Sequence, residues 1–532
     1  MAVNILIGVG GTGAKVVESA LFLLSAGVGP RAEVLVGLVD QDNANGNVAR
    51  TEQLLNLLVH LRDGFQTPSS RMDWNLEEGG TALFSVPVAP LMPGGAHWRP
   101  APDNLPTLRD IMRHEAMPRE EQALFDLLFR GDDATPADEE QTMNLAEGYR
   151  GRAHVGAAAL VSAIHHDQPE FLARLLELMK RSSGGEEVRI FIAGSLFGGT
   201  GAAGFPTIAR TLHRLRASGN AQRIQSDKVR IGGALMLPYF SFAEPAEGAN
   251  VITSAQLLPQ ARVAIDYYEN LLGQEGVFDR LYVAGWEKMF RLGYHEAGRA
   301  EQRNPALPPE LVAASAVCDF FDLPVGEVAS AKPMVAARRD AAEFGWADLP
   351  ARETLKLEER LGNALRFALW WRYRVEPAID AKGLFGRSDR PAWLDRLAEK
   401  TDWQGEARGM RVNVQDYCRR LLEWAASMRL LSAGVVGSFK LWNSDSFARP
   451  NANQPTDPVT LADQRDEDTT RRDLDALIDD ARDEQNRPVS SSVVFPRLSK
   501  PLQTGKSTNF GKLVAGVHRA TRPAPDQPSE QG

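Results

Sequence analysis

Two glycine-rich segments, each placed between an apolar run and a helical stretch, constrain the fold of this chain more than any other feature. The first is GVGGTGAK, residues 8–15, which follows the apolar run VNILI. The second is GSLFGGTGAAG, residues 194–204, which follows VRIFIA. Glycine lets the backbone turn sharply and approach a ligand closely, and the free amides at a helix start attract anions. Both segments therefore predict strand, tight loop and helix, with an anion at the loop.

The apolar runs of the first 300 residues predict an open α/β sheet. Three further runs, with helical stretches between them, are typical of fully buried parallel strands: residues 34–39, 229–237 and 278–284. A Pro-rich stretch at about 62–145 is expected to be an insertion between the second and third strands. The α/β domain is thus predicted to cover residues 1–322, with a central helix at about 305–322.

Beyond residue 322 the glycine loops disappear and the composition becomes helical. Leu, Ala, Arg and Trp recur at helical spacing, which predicts a helical C-terminal domain over residues 323–450. Its tryptophan pair, Trp370 and Trp371, is expected to pack in the core. Residues 451–532 are rich in Pro, Asp, Gln and Ser and are predicted to be a partly disordered tail. The helical domain or the tail is a candidate contact for a protein partner.

Composition indicates a folded protein of the cytoplasm. Hydrophobic residues make up 43% of the 532 residues and charged residues 24%, the ordinary balance of a globular protein. A formal net charge of −9 argues against nucleic acid as a partner. The only cysteines, Cys318 and Cys418, exclude a disulfide framework. We expect neither a signal peptide nor a membrane span, because glycines interrupt the first apolar run early and no run reaches about 18 residues.

The first loop is compatible with more than one role. Gly8, Gly10 and Gly13 match a dinucleotide-binding pattern, with Asp40 as the acidic residue, although Asp40 comes somewhat later than usual. The loop does not match a Walker A motif, because Lys15 is separated from the last glycine and is not followed by Ser or Thr. Glycines after a strand can also serve only helix-to-sheet packing. The second loop favours a phosphate held from two sides.

With both loops in place, the chain resembles the tubulin/FtsZ superfamily, and in particular the divergent bacterial tubulin-like proteins. AGSLFGGTGAAGFPTIA is similar to the tubulin signature loop GGGTGSG, with Phe197 in place of its first glycine. GVGGTGAK is similar to the first FtsZ loop, and LVDQDN, residues 38–43, resembles the segment after the second strand of that family. The resemblance implies a tubulin/FtsZ-like Rossmann-type parallel sheet that binds GTP or GDP with Mg²⁺ and forms a homo-oligomer or filament.

The resemblance also implies roles for individual residues around the phosphates. Asp40 or Asp42 would organise Mg²⁺, directly or through water. Arg150 and Arg152 occupy the position of the family's loop over the γ-phosphate, where guanidinium groups bind oxygen pairs; a solvated turn with two surface arginines is the alternative. The phosphates themselves would be held by the loop residues: Gly10, Gly11, Thr12, Gly13, Lys15, Gly198, Gly199, Thr200 and Gly201.

The remaining implied positions concern the sugar, the base and hydrolysis. Glu244 is expected near the ribose. Trp286 stands where the family reads guanine with an asparagine, and tryptophan can stack on a base without replacing the amide's hydrogen bonds. Asn304 is either a base contact or an ordinary helix cap. Asp319 and Asp322 lie where tubulins carry the acidic loop that acts on the neighbouring subunit's nucleotide, but the motif itself is not recognisable. Hydrolysis is therefore less secure than binding.

Three functions follow as hypotheses. The leading one is a tubulin-like GTP-binding protein, with GTP hydrolysis as an open question, that self-assembles or switches a partner. The second is a Rossmann dinucleotide-binding oxidoreductase, which would use the first loop and Asp40 and would leave the second loop unexplained. The third is a scaffold that does not hydrolyse its nucleotide or whose pocket stays empty.

Overall fold

The computed structural model describes most of the chain. The described residues are 2–65, 81–131, 139–166, 169–242, 261–268, 276–293, 303–324, 334–338, 343–381, 391–397, 401, 405–451, 458–478, 494–498 and 509–522.

The described strands alternate with helices along the first half of the chain. In chain order the strands are β1 (Ala2–Val9), β2 (Val34–Val39), β3 (Val88–Pro90), β4 (His97–Trp98), β5 (Glu187–Ser195), β6 (Val229–Met236), β7 (Phe240–Phe242), β8 (Arg280–Trp286), β9 (Phe290–Leu292), β10 (Met334–Arg338), β11 (Ala448–Pro450) and β12 (Val459–Leu461). The helices are α1 (Gly10–Ser25), α2 (Gly46–Phe65), α3 (Leu108–Ile111), α4 (Arg119–Leu128), α5 (Ala153–His166), α6 (Glu170–Lys180), α7 (Thr200–Ser218), α8 (Pro308–Phe321), α9 (Leu357–Trp370), α10 (Glu376–Ile379), α11 (Ala392–Leu397), α12 (Glu406–Ser432), α13 (Glu467–Ala476), α14 (Val494–Leu498) and α15 (Asn509–Ala520).

The central sheet is parallel, which confirms the predicted α/β class. Its strand order is β10-β8-β6-β5-β1-β2-β3, with the short β4 also paired to β2. The chain moves in one direction from β1 to β2 and in the other from β5 to β6, so the order reverses between β1 and β5. In open α/β sheets ligands bind in the crevice at this reversal, beyond the carboxyl ends of the strands. Both glycine loops begin at that edge.

Helices cover both faces of the sheet, because successive side chains of a buried strand point to opposite sides. Ile5 and Ile7 of β1 belong to one apolar cluster with α5, α6 and α7. Leu6 belongs to the other cluster, which contains α1, α2 and the central helix α8. Burial on both faces explains why these strands are apolar without alternation.

Two predicted boundaries need correction. The stretch predicted as an insertion at about 62–145 contributes β3 and β4 to the main sheet, where each pairs with β2. The sheet also continues past residue 322, because β10 pairs in parallel with β8. Short strands at a sheet edge carry too few residues to stand out in a sequence pattern.

The C-terminal helices pack directly on the sheet domain. Tyr417 of α12 is hydrogen-bonded to Ser25 at 2.9 Å, and the Trp424 indole donates to Ser19 at 3.1 Å. Trp370 and Trp371 are fully buried in the same apolar cluster. Within the stretch predicted as a partly disordered tail, residues 451, 458–478, 494–498 and 509–522 are described by the structure, and the rest lies outside the described residues. None of the described helices is long and apolar enough to span a bilayer.

Candidate functional site

The two glycine loops meet at the crevice between β1 and β5. Gly10 has a φ of +72°, which favours glycine, and a Cβ placed there would lie 2.9 Å from the backbone nitrogen of Gly201. A side chain at residue 10 would therefore collide with the start of α7. The sequence alone placed both loops at helix starts; the structure brings their backbones into contact.

The glycines of these loops serve different purposes. A Cβ at Gly13 would lie 2.5 Å from the carbonyl oxygen of Ala193, so this glycine lets α1 pack on β5. A Cβ at Gly199 would lie 2.8 Å from the Tyr149 Cβ, and a Cβ at Gly201 would lie 2.6 Å from the Ser195 hydroxyl oxygen. Neither position therefore has room for a side chain. Gly198 differs, because it has a φ of +84° and no heavy atom lies within 4 Å of its Cβ position among the described residues. Open space at the site thus lies beside Gly198.

Asp40 connects the end of β2 to the start of α7. Its Oδ1 accepts hydrogen bonds from the Thr200 hydroxyl at 2.9 Å and from the Asp42 amide at 3.3 Å. Its Oδ2 accepts from the Asn45 side chain at 2.7 Å. Burial raises the pKa of the Asp40 carboxyl, and the hydrogen bonds from Thr200, Asp42 and Asn45 offset part of that rise. A cation nearby would stabilise the buried carboxylate further.

The loop that carries the two predicted arginines lies against Asp42 and the second glycine loop. A Cβ at Gly148 would lie 3.2 Å from the Asp42 Cβ, and Tyr149 fills the space beside Gly199. Arg150 itself has a φ of +45° and forms an ion pair with Glu147 at the surface. The Arg152 guanidinium lies 3.6 Å from Glu140. The structure therefore brings this loop to the site, while both guanidinium groups contact carboxylates.

Two buried donors beside the loops lack acceptors. Asn47 is 1% exposed; its Oδ1 accepts from the Asn304 amide at 2.8 Å, but its Nδ2 has no hydrogen-bond partner among the described residues. That Nδ2 lies 3.4 Å from the Cβ position of Gly11. The hydroxyl of Tyr149, a residue that is also 1% exposed, is likewise unpartnered in the described part of the chain. Burial, followed by the charge of Asp40, raises its pKa.

Such orphan donors indicate where a ligand acceptor belongs, because an unsatisfied buried donor costs about 1–3 kcal/mol. Sequence reasoning missed Asn45, Asn47 and Tyr149. The signal for the two asparagines was their position at the helix start that follows LVDQDN, where polar side chains face the carboxyl edge of the sheet. Tyr149 immediately precedes Arg150 but carries no motif of its own.

Lys15 is not available to a phosphate. Its ammonium forms a fully buried ion pair with Glu310 of α8. Glu310 also accepts from the Tyr239 hydroxyl at 2.6 Å and from the Leu307 amide at 2.8 Å. Burial lowers the pKa of Lys15, and the attraction of Glu310 opposes that shift. The predicted phosphate contact is therefore corrected: Lys15 joins the first glycine helix to the central helix.

Of the residues predicted to contact the base or the ribose, one is buried in the core, one borders the site and one lies outside the described residues. Trp286 is 7% exposed and packs edge-on against Phe290 and Phe344, with centroid distances of 5.9 and 5.5 Å. It is a core residue and not a stacking platform, which corrects that expectation. Asn304 lies beside Asn47, and its carbonyl accepts from Arg50 at 2.9 Å, so the residues preceding α8 border the site. Glu244 lies outside the described residues.

Asp319 and Asp322 lie at the opposite edge of the sheet. The Phe321 carbonyl, at the same end of α8, accepts a hydrogen bond from Arg189 at the start of β5. A helix of 14 residues spans about 21 Å, so neither carboxylate reaches the glycine loops of its own chain. Asp319 accepts from the Tyr282 hydroxyl and lies 3.5 and 3.6 Å from Arg280 and Arg352. Both carboxylates are therefore remote from the glycine loops of their own chain, and their expected action on the nucleotide of a second copy stays a prediction.

Asp40 and Asp42 are the two carboxylates at the loops, and two carboxylates alone do not complete the coordination of a metal ion. Within the described ranges, no group of three or more His, Cys, Asp or Glu side chains converges on a point. A cation held here by Asp40 or Asp42 would therefore take its other ligands from water and phosphate oxygens, as Mg²⁺ usually does.

Comparison of the chain with protein-family models, with curated proteins and with solved structures finds no match.

Proposed function

We propose that this chain is a cytoplasmic, tubulin-like protein that binds GTP or GDP with Mg²⁺ between the loops after β1 and β5. The observation that carries the proposal is the backbone contact between Gly10 and Gly201 at the sheet's reversal point, with open space beside Gly198. Two helix starts that meet at one point direct several free amides at the same small volume. That arrangement suits an anion with more than one phosphate group.

The surrounding residues fit a nucleotide with its metal ion. The amides at the start of α7 and the Thr12 hydroxyl would hold phosphate oxygens. Asp40 and Asp42 would hold Mg²⁺, partly through water, because this ion keeps several of its waters and needs only one or two carboxylates. The unpartnered donors of Asn47 and Tyr149 supply further hydrogen bonds for ligand acceptors.

A dinucleotide-binding oxidoreductase is less well supported. In that class the acidic residue after the second strand accepts hydrogen bonds from a ribose. Here the Asp40 carboxylate already accepts from Thr200 and Asn45, and its side chain is buried between the loops. The second glycine loop would also lack a role in such an enzyme.

Hydrolysis by these carboxylates would need a second copy of the chain, because Asp319 and Asp322 lie at the edge of the sheet remote from the loops. Head-to-tail assembly into an oligomer or filament could bring that edge to the nucleotide of the next subunit. The third hypothesis, a scaffold that binds a structural nucleotide without hydrolysing it, is favoured by the contacts of Asp319, which is already engaged by Tyr282 and two arginines.

A matched pair of variants at Gly198 tests nucleotide binding. Asp and Asn are nearly isosteric and both tolerate a positive φ, so each places a similar side chain into the open space. Gly198→Asp adds a negative charge against the phosphates, whereas Gly198→Asn does not. We expect the wild-type chain to bind GTP or GDP in calorimetry, and Gly198→Asp to bind at least tenfold more weakly than Gly198→Asn.

Chromatography of ligand released by denaturing the purified protein would separate guanine nucleotides from NAD(P). Light scattering with and without GTP would measure assembly. Equal GTP affinity of the two Gly198 variants, or absence of GTP and GDP binding by the wild-type chain, would overturn the proposal.

A further inference from the structure

A small cavity with a cationic lining lies between the sheet domain and the C-terminal helices. Its volume is about 180 Å³, and its lining includes Lys356, Glu359, Arg360, Asn363, His518 and Arg522. Three cationic side chains and one carboxylate thus line this space, with Lys356 and Glu359 at its exposed side. This excess of positive charge contrasts with the net charge of −9 of the whole chain.

The cations are incompletely neutralised by their neighbours. Lys356 lies 3.6 Å from Glu359, and Arg360 donates to the backbone carbonyl of Gly27. The guanidinium of Arg522 lines the same cavity and has no hydrogen bond or ion pair to any residue in the described part of the chain. Burial lowers the pKa of Arg360 and of Arg522; the attraction of Glu359 opposes both shifts in part, and the charge of Arg360 adds to the lowering at Arg522. An anion in the cavity would offset both effects.

The floor of the cavity is neutral and hydrogen-bonded. Asn363 donates to the His518 Nε2 at 2.8 Å, so the proton of this imidazole is on Nδ1, which contacts the Thr81 hydroxyl. Burial, followed by the charge of Arg522, lowers the pKa of His518 and keeps the ring uncharged. The positive charge therefore belongs to the lysine and the arginines, whose side chains form the walls.

The backbone adds to the positive potential. Helix α9 begins next to the cavity, after Lys356 in a left-handed conformation with a φ of +45°, and no side chain caps its first turn. Free amides at a helix start favour an anion. The helix start is an addition to the side-chain cluster and not the basis of the site.

We propose that this cavity binds a small oxyanion of the phosphate type, either free phosphate or the phosphate group of a phosphomonoester. Guanidinium groups match the geometry of phosphate oxygens. The volume lies below the roughly 300–1,000 Å³ typical of pockets for larger ligands, which restricts the occupant to a compact group. The anion would join α9 and α15 to the turn after α1.

This oxyanion site is distinct from the proposed nucleotide site. Arg360 contacts Gly27, just beyond the end of α1, whereas the first glycine loop lies at the start of α1. The 16 residues of that helix span about 24 Å. A phosphate group bound at one site cannot reach the other.

Calorimetry of the full chain with inorganic phosphate, at ionic strength held constant with chloride, tests the proposal. The titration uses a Gly198→Asp background, so that phosphate binding at the nucleotide site does not contribute. We expect one phosphate per chain and at least tenfold weaker binding in Arg522→Gln. Arg522→Lys keeps the charge and should bind with intermediate affinity, and Lys512→Gln, a change on α15 outside the cavity lining, should bind as the background does.

A parallel titration with glycerol phosphate distinguishes the two sources of the group, because tighter binding than that of phosphate would indicate a phosphomonoester. No phosphate binding in the Gly198→Asp background, or equal binding in Arg522→Gln and its background, would overturn the inference. The GTP affinity of Arg522→Gln in an otherwise wild-type chain should be unchanged. Absence of GTP binding, with phosphate binding still lost in Arg522→Gln, would contradict the proposed nucleotide site but not the oxyanion site.

Discussion

Replacing Lys15 by methionine tests whether this lysine binds phosphate, as its place after a glycine loop indicates, or neutralises Glu310, as its contacts indicate. A lysine after a glycine loop is expected to bind phosphate, so its loss should weaken nucleotide binding. In the structure it neutralises Glu310 inside the core. Lys15→Met would leave the carboxylate buried with only the Tyr239 hydroxyl and the Leu307 amide as donors.

The expected cost is large. Removing one partner of a buried ion pair destabilises a protein by about 3–5 kcal/mol, because the remaining charge is left uncompensated. Replacing both partners by uncharged residues of similar volume is often neutral, at about 0 kcal/mol. Lys15→Met should therefore lower the free energy of unfolding by about 3–5 kcal/mol, and Lys15→Met with Glu310→Gln should recover most of that loss.

Urea unfolding of the two single variants and the double variant, followed by tryptophan fluorescence, measures the coupling between the pair. Lys180→Met, at an exposed position on α6, is the control and should change stability by no more than about 0.5 kcal/mol. GTP affinity, measured where each variant is folded, should stay within about twofold of wild type, a difference of under 0.5 kcal/mol. A stable Lys15→Met protein with strongly weakened GTP binding would refute the structural role of Lys15 as the ion-pair partner of Glu310 on α8.

Three further predictions follow from the site. Thr200→Val removes one donor to Asp40 and should cost about 1–3 kcal/mol in urea unfolding, with Thr207→Val on the outer part of the same helix as a control near neutrality. The raised pKa of Asp40 means that its contribution to stability is present below about pH 4, the unfolded value, and is lost as pH rises through the folded pKa. The unfolding free energy of the ligand-free wild type should therefore fall relative to Asp40→Asn as pH increases from about 4, and parallel curves would contradict this. Asp319→Asn should lower stability by about 1–3 kcal/mol without changing the GTP affinity of isolated chains, and a loss of affinity would contradict its placement at the remote edge.

The sequence predicted those parts of the fold that depend on local pattern. Buried parallel strands are continuous apolar runs, and β2 was predicted within its observed limits for that reason. Strands of two or three residues, such as β3 and β4, have no such run and were assigned to an insertion. Their place in the sheet is fixed by hydrogen bonds to β2, which are tertiary contacts that a window of sequence does not contain.

The same limit explains the errors at individual site residues. The residue type of Trp286 is compatible with stacking on a base or with packing in a core, and its neighbour Phe344 is supplied by a distant segment. Lys15 finds its partner, Glu310, almost 300 positions away. Conversely, Asn47 has only its position at a helix start as a signal in the sequence, and the absence of an acceptor for its Nδ2 among the described residues marks it as a candidate ligand contact.

The two glycine loops have similar sequences, but their glycines have different structural roles. In the first loop Gly10 and Gly13 are required by contacts with Gly201 and Ala193, so packing explains most of its glycines. In the second loop Phe197 is buried against Tyr239 and Phe240, and Thr200 is held by its hydrogen bond to Asp40. Gly198 lies between these two anchored residues and faces open space. The second loop is therefore held in place before any ligand arrives, and a phosphate bound there would need little further ordering of the backbone.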